Sequence, residues 1–374
     1  MEPLTLDAPW RPRDGAGLVS FDGSLWLLGG WRVREDGPSG PGGLEDTAFE
    51  GTGWTVDSEI WRSDDGSAWE YVTHAPWPGR HTAGYVVHDN RIWVVGGDCY
   101  SNSADVWSSA NGIEWECATA DAPWAGRVLP YVVAFDSAIW LMGGQSVPQF
   151  SQHSAGTDLY RGAATEHFYS DVWRSADGKD WELVAAAAPW SPRGLIGSPG
   201  AVLDGYLWLF GGGTYETPSR DERKFCNDVW RTKDGKAWEC VCEAAPWPAR
   251  EYAEIAAFDG RLWLLCGCKC SRSLCVFLKK LKESGCTDGV DSLETATVAM
   301  ADMSAAGARN RSDIWCSADG VVWEEVATPE LLPRHASSVC VHNDALYLAA
   351  GNAVAEDGSW DVSDCWRCRR RAKL

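Results

Sequence analysis

A single unit that recurs six times along the chain limits what this sequence can fold into. Its most compact copy spans residues 75–120, and longer copies contain insertions. A recurring arginine marks the register of the copies, at Arg13, Arg80, Arg127, Arg193, Arg250 and Arg334. A period of about 47 residues indicates a repeat architecture, in which each unit buries its apolar surface against its neighbours.

Tryptophan follows the same register. Of the 24 Trp in the chain, all but Trp31, Trp54 and Trp360 occupy four fixed places in the unit. One place precedes the arginine, one precedes a Gly-Gly pair, and two lie in the second half of the unit. The high Trp content is therefore architectural. Although 374 residues ordinarily suggest two or three domains, the repeat predicts one.

Each unit contains four short segments that are typical of β-strands. In the second copy these are residues 82–87, 91–95, 106–108 and 114–118, which are rich in aromatic and β-branched side chains. Asp-Gly, Asn-Gly and similar pairs separate the first segment from the second and the third from the fourth. Such pairs supply the positive φ of two-residue hairpin turns. Six units of four antiparallel strands predict an all-β, six-bladed β-propeller.

We expect one domain over residues 1–374, closed by pairing the two ends of the chain. The last unit ends soon after its third strand, and residues 1–7 align with a fourth strand, so the N-terminal strand is predicted to complete blade six and remove an exposed edge. The expected blades span residues 8–73, 74–120, 121–186, 187–243, 244–327, and 328–368 with 1–7. Residues 268–312 form a long insertion, in which 276–283 indicates a short helix, and 369–374 form a basic tail.

The repeated motifs resemble those of kelch repeats across essentially the whole chain. They are a P-x-R segment, a D-V/I-W segment opening the third strand, and Gly-Gly pairs ending the second strand, at Gly29-Gly30, Gly96-Gly97, Gly143-Gly144 and Gly211-Gly212. Cys266-Gly267 and Ala350-Gly351 depart from this pattern. The turn Ser63-x-Asp65-Gly66-x-x-Trp69 and its copies are similar to the Asp-box of sialidase-type propellers. The resemblance implies a propeller of the galactose oxidase and kelch-like superfamily.

The two faces of such a propeller should differ in chemistry. The loops between second and third strands and the links between blades share one face, here called the mouth; the hairpin turns share the other, here called the turn face. The mouth should hold the repeat arginines, the long insertions, and the acids that open the third strands, at Glu59, Asp105, Asp171, Asp228, Asp313 and Asp364. Arginine suits bidentate capture of carboxylate or phosphate. Alternatively, each arginine pairs with the repeated acid and is structural.

Candidate binding residues are therefore placed at the mouth. They are the six arginines (Arg13, Arg80, Arg127, Arg193, Arg250 and Arg334) together with His81, His335 and Tyr252, which break the repeat. Loop aromatics add to them, at Trp31, Trp54, Phe150, Tyr160, Tyr169 and Tyr215. Aromatic and arginine side chains are the usual anchors of protein contacts. The pattern predicts a protein partner, with an acidic segment as one form of it, and a small anionic sugar as another ligand.

Five cysteines lie at the entry to the longest insertion: Cys266, Cys268, Cys270, Cys275 and Cys286. Thiolates at this density suit zinc or copper(I). Their spacing, however, does not match a pair of C-x-x-C knuckles, and no His is near. We therefore predict no cofactor and treat the cysteines as weak metal candidates, with unpaired thiols as the alternative.

An enzyme of the carbohydrate-processing kind is the alternative to a binding module. Galactose oxidase, sialic-acid mutarotase and sialidases are propellers that resemble parts of this chain. A galactose-oxidase site needs a Tyr crosslinked to Cys, a further Tyr and two His, and a sialidase site needs three arginines with a Tyr–Glu pair. Neither set can be assigned completely. The sequence thus favours a non-catalytic protein-binding module over a carbohydrate-active or sugar-acid-binding propeller.

Charge and targeting signals limit the partner classes and the cellular location further. A formal net charge of -20 disfavours nucleic acid and anionic membrane surfaces. No apolar run reaches the roughly 18–20 residues that span a bilayer, and the N-terminus lacks the features of a secretory signal. We expect a cytoplasmic monomer. The terminal Ala372-Lys373-Leu374 is similar to a peroxisomal address, which makes the peroxisome the alternative location.

Overall fold

The protein forms a six-bladed β-propeller. The computed structural model describes residues 1–33, 54–97, 102–146, 149–150, 160–161, 167–194, 200–214, 224–269, 309–328, 330–353 and 362–370. These residues contain six four-stranded antiparallel sheets and five two-stranded ladders, and they contain no helix. The predicted helix at 276–283 and the terminal tripeptide lie outside the described residues. No helix long and apolar enough to span a bilayer occurs in the described ranges.

The first three blades follow the chain in order from the centre of the ring outward. Blade one consists of β2 (Gly17–Phe21), β3 (Ser24–Leu28), β6 (Glu59–Ser63) and β7 (Glu70–His74). Blade two consists of β8 (Gly84–His88), β9 (Arg91–Val95), β10 (Val106–Ser109) and β11 (Glu116–Thr119). Blade three consists of β12 (Tyr131–Phe135), β13 (Ala138–Met142), β18 (Val172–Ser175) and β19 (Glu182–Ala185).

The remaining blades repeat this order, except that the outer strand of blade six comes from the N-terminus. Blade four consists of β20 (Ala201–Leu203), β21 (Tyr206–Phe210), β22 (Val229–Thr232) and β23 (Trp238–Cys242). Blade five consists of β24 (Glu254–Phe258), β25 (Arg261–Leu265), β28 (Ile314–Ser317) and β29 (Glu324–Val326). Blade six consists of β31 (Ser338–His342), β32 (Ala345–Ala349), β34 (Cys365–Arg369) and β1 (Glu2–Thr5).

The predicted closure of the ring is confirmed. Strand β1 pairs antiparallel with β34, with Pro3 opposite Trp366 and a register irregularity between Pro3 and Thr5. The Glu2 carboxylate also accepts hydrogen bonds from the Arg367 side chain. Leu4 packs against the apolar cluster that blades six and one share. The first and last strands of the chain therefore join in one sheet, which removes an open edge from the ring.

Five short ladders extend the loops between second and third strands and the links between blades at the mouth. They pair β4 (Trp31–Val33) with β5 (Trp54–Val56), β14 (Gln145–Ser146) with β17 (His167–Phe168), β15 (Gln149–Phe150) with β16 (Tyr160–Arg161), β26 (Cys268–Lys269) with β27 (Arg309–Asn310), and β30 (Arg334–His335) with β33 (Asn352–Ala353). The segments that begin and end the long insertions are thus held by backbone pairing to the scaffold.

The two kinds of turn differ in how they are held. The turns between first and second strands have two residues with positive φ, as at Asp89 (φ 46°) and Asn90 (φ 54°), which is the hairpin predicted for them. The turns between third and fourth strands are longer, contrary to the two-residue prediction. In blade two, the Ser109 hydroxyl accepts from the Gly112 amide, and the Asn111 side chain accepts from two further amides. These side-chain bonds stabilise a longer loop, so β11 begins at Glu116.

The core lies between adjacent blades, because each sheet packs face to face with its neighbours. The second-strand Trp of one blade lies under the glycine turn of the next: a Cβ added at Gly112 would lie 2.4 Å from Trp26, and one at Gly178 would lie 2.1 Å from Trp93. At the closing seam Tyr347 takes this place beneath Gly66. Only glycine fits at these turns, both for its positive φ and for the ring beneath it.

Candidate functional site

The six repeat arginines lie between the blades at the mouth, and each is at most 1% exposed. Arg127 shows the common arrangement. Its Nη1 donates to the Gly143 carbonyl at 2.8 Å and to Asp171 at 2.6 Å, and its Nη2 donates to the second Asp171 oxygen at 3.0 Å. Its Nε donates to the Ala125 carbonyl at 3.0 Å. The guanidinium therefore joins the start of a blade to the second and third strands of the same blade.

The acid partner is the one that opens the third strand, and it also binds that strand's Trp. In blade three the Trp173 indole donates to Asp171 at 2.8 Å. The other blades repeat the pair as Arg13 with Glu59, Arg80 with Asp105, Arg193 with Asp228, Arg250 with Asp313, and Arg334 with Asp364. This is the structural pairing stated as the alternative for the arginines. With every guanidinium buried and bonded within the blade, none is exposed for direct contact with a ligand.

Electrostatics agrees with this arrangement. Burial by itself would raise the pKa of Asp105, Asp228 and Asp313, but hydrogen bonds and charge from their arginines outweigh burial and hold the pKa below its usual value. Blade one adds a second cation, because buried Asp57 lies 3.4 Å from Arg13 and 2.7 Å from Arg32. The pKa of Asp57 is also lowered, since these two charges outweigh its burial.

Residues that follow the arginines form a collar at the mouth end of the inner strands, described in five of the six blades. The second residue after the arginine has a left-handed φ in five blades, at Gly15, Thr82, Leu129, Tyr252 and Ala336. Their backbones are linked: Gly15 donates to Ala336 at 2.8 Å, Thr82 to Gly15 at 2.9 Å, Leu129 to Thr82 at 3.1 Å, and Ala336 to Tyr252 at 3.2 Å. Leu129, Tyr252 and Ala336 share an apolar cluster. The predicted inner strand at 82–87 therefore starts later, at Gly84, because Thr82 belongs to this collar.

The residues directly after the arginines form an asymmetric ring above the collar. Blades one, two, five and six supply titratable side chains, at Asp14, His81, Glu251 and His335, whereas blades three and four supply Val128 and Gly194. We call the first four residues the polar arc. The two histidines were predicted at the mouth, whereas Asp14 and Glu251 were not. Their signal was available, because all four share one register position next to a marked arginine.

The polar arc is held by specific contacts. His81 Nε2 lies 3.2 Å from Asp14 Oδ1, and the Trp31 ring meets the imidazole edge to face at 5.3 Å. His335 Nδ1 lies 2.7 Å from the side-chain oxygen of Asn310, and its ring packs on Tyr252 at 5.2 Å. Each predicted histidine is thus fixed by one polar partner and one aromatic ring. Of the three predicted mouth residues outside the arginine set, Tyr252 lies in the collar and the histidines lie in the arc.

Of the predicted loop aromatics, the structure describes the side chains of two. Trp31 contacts the polar arc, and Tyr169 lies beneath the Arg127 guanidinium at 3.8 Å from its ring centroid, where its hydroxyl contacts Ser146. The side chains of Trp54, Phe150, Tyr160 and Tyr215 lie outside the described residues.

Of the five candidate cysteines, the two that the structure describes, Cys266 and Cys268, do not converge. Cys266 has a φ of 56°, so the chain is not extended there. Its side chain packs in the apolar cluster of blades five and six, whereas Cys268 packs in the collar cluster. Burial raises the pKa of Cys266 to about 12, which disfavours the thiolate that binds metals. Cys270, Cys275 and Cys286 lie outside the described residues. Within the described part of the chain, no three His, Cys, Asp or Glu side chains are grouped as metal ligands.

Comparisons with known proteins support the fold. No protein-family model matches this chain, and no curated protein is similar to it in sequence. The solved structure of YjhT is similar over 98% of this chain and 97% of YjhT, with a TM-score of 0.64 and 13% sequence identity. At this identity the likeness shows a shared fold and does not extend to function.

Proposed function

We propose that the protein is a kelch-type interaction module that holds a protein partner at its mouth, without catalysis at that face. The observation that carries the proposal is the asymmetry of the mouth. Five described blades share the collar conformation, but only four of the six blades supply a titratable group to the arc. A structural repeat needs no such difference, whereas a surface that recognises one partner in one orientation does.

The chemistry of the mouth supports a macromolecular contact. The arc presents Asp14 and His335, which are partly exposed, together with the partly exposed ring of Trp31. His81, Glu251 and Tyr252 are buried; His81 contacts Asp14, and Tyr252 packs on His335. Polar groups beside aromatic side chains are common in protein interfaces, where Tyr and Trp are enriched. The insertions start and end at this face on short ladders, and loops on a rigid scaffold are where binding proteins vary their specificity.

The test compares three forms of the full-length protein. Wild type is compared with a His335→Ala variant at the partly exposed histidine of the arc, and with a Val322→Ser variant at an exposed residue of the turn face. Each form is used to capture partners from native lysate, and a partner found with wild type is then purified and titrated by calorimetry. We expect the mouth variant to lose at least tenfold in affinity and the turn-face variant to bind like wild type.

Two results would contradict the proposal. Equal affinity of all three forms would remove the partner from the mouth. Absence of a partner, combined with calorimetric binding of free sialic acid to wild type, would favour the sugar-acid alternative. The repeat arginines are unsuitable as probes, because Arg80→Glu would place a second carboxylate against Asp105 at a fully buried position and destabilise the fold.

A further inference from the structure

The seam between blades six and one differs from the others at the turn face. In blades one, two and six the seventh residue after the arginine lies near the eighth residue of the preceding blade. Elsewhere this contact is mostly apolar: Val87 shares a cluster with Phe21, and Val341 shares one with Phe258. At the closing seam the two positions hold Ser20 and His342, and Ser20 Oγ lies 2.8 Å from His342 Nδ1.

His342 faces Ser20 through its Nδ1. Its Nε2 lies 2.8 Å from Asn343 Nδ2, a position that the amide oxygen takes when the amide is rotated. With the amide rotated in this way, the oxygen accepts the ring proton on Nε2, and Nδ1 accepts the Ser20 hydroxyl proton. Burial lowers the pKa of His342, opposed in part by the Asp64 backbone and charge, which favours the neutral ring. A nucleophile, a base, and a third group that orients the base form the usual activated set.

The Ser20 backbone faces the centre of the ring. Strand β2 is the inner edge of its sheet, and its hairpin to β3 closes with Phe21 opposite Ser24 around a two-residue turn. Phe21 and Ser24, the pair next to the turn, exchange both backbone hydrogen bonds. Hydrogen-bonded and non-hydrogen-bonded pairs alternate along an antiparallel ladder, so the next pair, Ser20 with Leu25, is not hydrogen-bonded. The N–H and C=O of Ser20 therefore point away from β3. An N–H beside the nucleophile is the donor that stabilises an oxyanion.

The inner strands are partly exposed to solvent at the turn face. The residue two positions before the first hairpin turn is partly exposed in every blade, at Ser20, Val87, Ala134, Val202, Ala257 and Val341; it is the seventh residue after the arginine except in blade four, where Val202 is the ninth. Further in, residues such as Val19, Val86 and Val133 are buried, and the collar lies at the opposite end. These six residues, here called the turn-face well, form a small wall that is apolar except for Ser20.

We propose that Ser20 and His342 are a nucleophile and general base in the turn-face well, and that they accept short, uncharged acyl esters. Ser20 Oγ attacks the ester carbonyl carbon while its proton passes to His342 Nδ1, and the Ser20 N–H faces the developing oxyanion. The carbonyl reforms, the alcohol leaves with that proton, and acyl-Ser20 remains. Water then attacks with His342 as base, which releases the carboxylic acid and restores Ser20. This chemistry is independent of binding at the mouth.

The test uses a fluorophosphonate probe and p-nitrophenyl acetate on the full-length protein, with the adduct mapped by peptide mass spectrometry. We expect one adduct per chain on Ser20, none on the Ser20→Ala variant, and a labelling rate at least about 100-fold slower in His342→Phe, as for loss of a general base. Phenylalanine is the residue at the same register in Phe21 and Phe258, so it fits the seam.

A matched control distinguishes loss of the proposed base from the loss of any histidine at this register. His88 occupies the same register at another seam, where the seventh position is Ala134. His88→Phe should leave Ser20 labelling unchanged. Absence of an adduct on Ser20 of the folded wild type would overturn the proposal, and so would equal labelling rates in wild type and the His342→Phe variant. The labelling of wild-type Ser20 tests the proposal even if a variant fails to fold.

Discussion

Neutralising Asp105, a partly buried acid whose arginine partner is fully buried, should test whether the arginine and acid pairs hold the blades together. Asp105 accepts from Arg80 at 2.7 Å and 3.1 Å and from the Trp107 indole at 2.8 Å. The Arg80 side chain is 1% exposed, so Asp105→Asn leaves its charge buried without a counter-charge. Breaking a buried pair in this way costs about 3–5 kcal/mol. We expect Asp105→Asn to lower the free energy of unfolding by that amount, measured by urea denaturation at pH 7.

The same blade provides the control. Arg91 and Glu116 also form an ion pair, but their side chains are 29% and 64% exposed. Exposed pairs contribute about 0–1 kcal/mol, so Glu116→Gln should have little effect. If Asp105→Asn costs no more than Glu116→Gln, with unchanged dependence on urea, the buried pair does not stabilise the blade and the reasoning is refuted.

The pH dependence gives a second check on this pair. The pKa of Asp105 is lowered from 3.8 in the folded state. The stability that its ionised form contributes is therefore fully present above pH 3.8 and is lost as pH falls through the folded pKa. The difference between wild type and Asp105→Asn should be constant near neutrality and shrink below about pH 4. If the difference in unfolding free energy between wild type and Asp105→Asn persists unchanged in acid, the effect of the substitution comes from altered packing.

Three further predictions concern the scaffold. Deleting residues 1–7 removes β1 from blade six and should lower the melting temperature of the whole domain, and unchanged melting would contradict ring closure by this strand. Burial raises the pKa of Glu254 well above its usual value, so ionising this carboxyl at higher pH destabilises the folded protein. Glu254→Gln should therefore gain stability relative to wild type as the pH rises from 4 to 7, measured by urea denaturation. Gly178→Ala should lower the free energy of unfolding by about 1–3 kcal/mol more than Gly205→Ala, measured by urea denaturation. Both glycines have positive φ, but only the Cβ at 178 meets a Trp ring. Equal losses would exclude the packing explanation.

Much of the fold followed from local patterns. Asp-Gly and Asn-Asp pairs set hairpin turns through backbone φ, and short aromatic segments set strands, so blade number and the closing strand could be predicted without three-dimensional information. The turns between third and fourth strands were predicted too short. Their length depends on side chains such as Asn111 bonding to later amides, which the Asn-Gly pair does not reveal.

The candidate site was only partly predictable. The register placed His81 and His335 together at the mouth, and it offered Arg80 and its five counterparts as ligand-binding groups as well. Sequence shows that an arginine and an acid recur together, yet both a buried pair and an exposed binding site produce that pattern. The distance between the groups and their burial separate the two cases, and both depend on how the sheets twist and pack.

The sequence by itself determined the number of blades, their strand order and the face on which each residue lies, because these depend on spacing along the chain. Only the tertiary structure decided which residues meet across a seam. Ser20 and His342 are far apart in the sequence and unremarkable in either repeat, and they come within 2.8 Å because the ring closes there. Contacts between the first and last blades depend on closure of the whole ring, which no local pattern encodes.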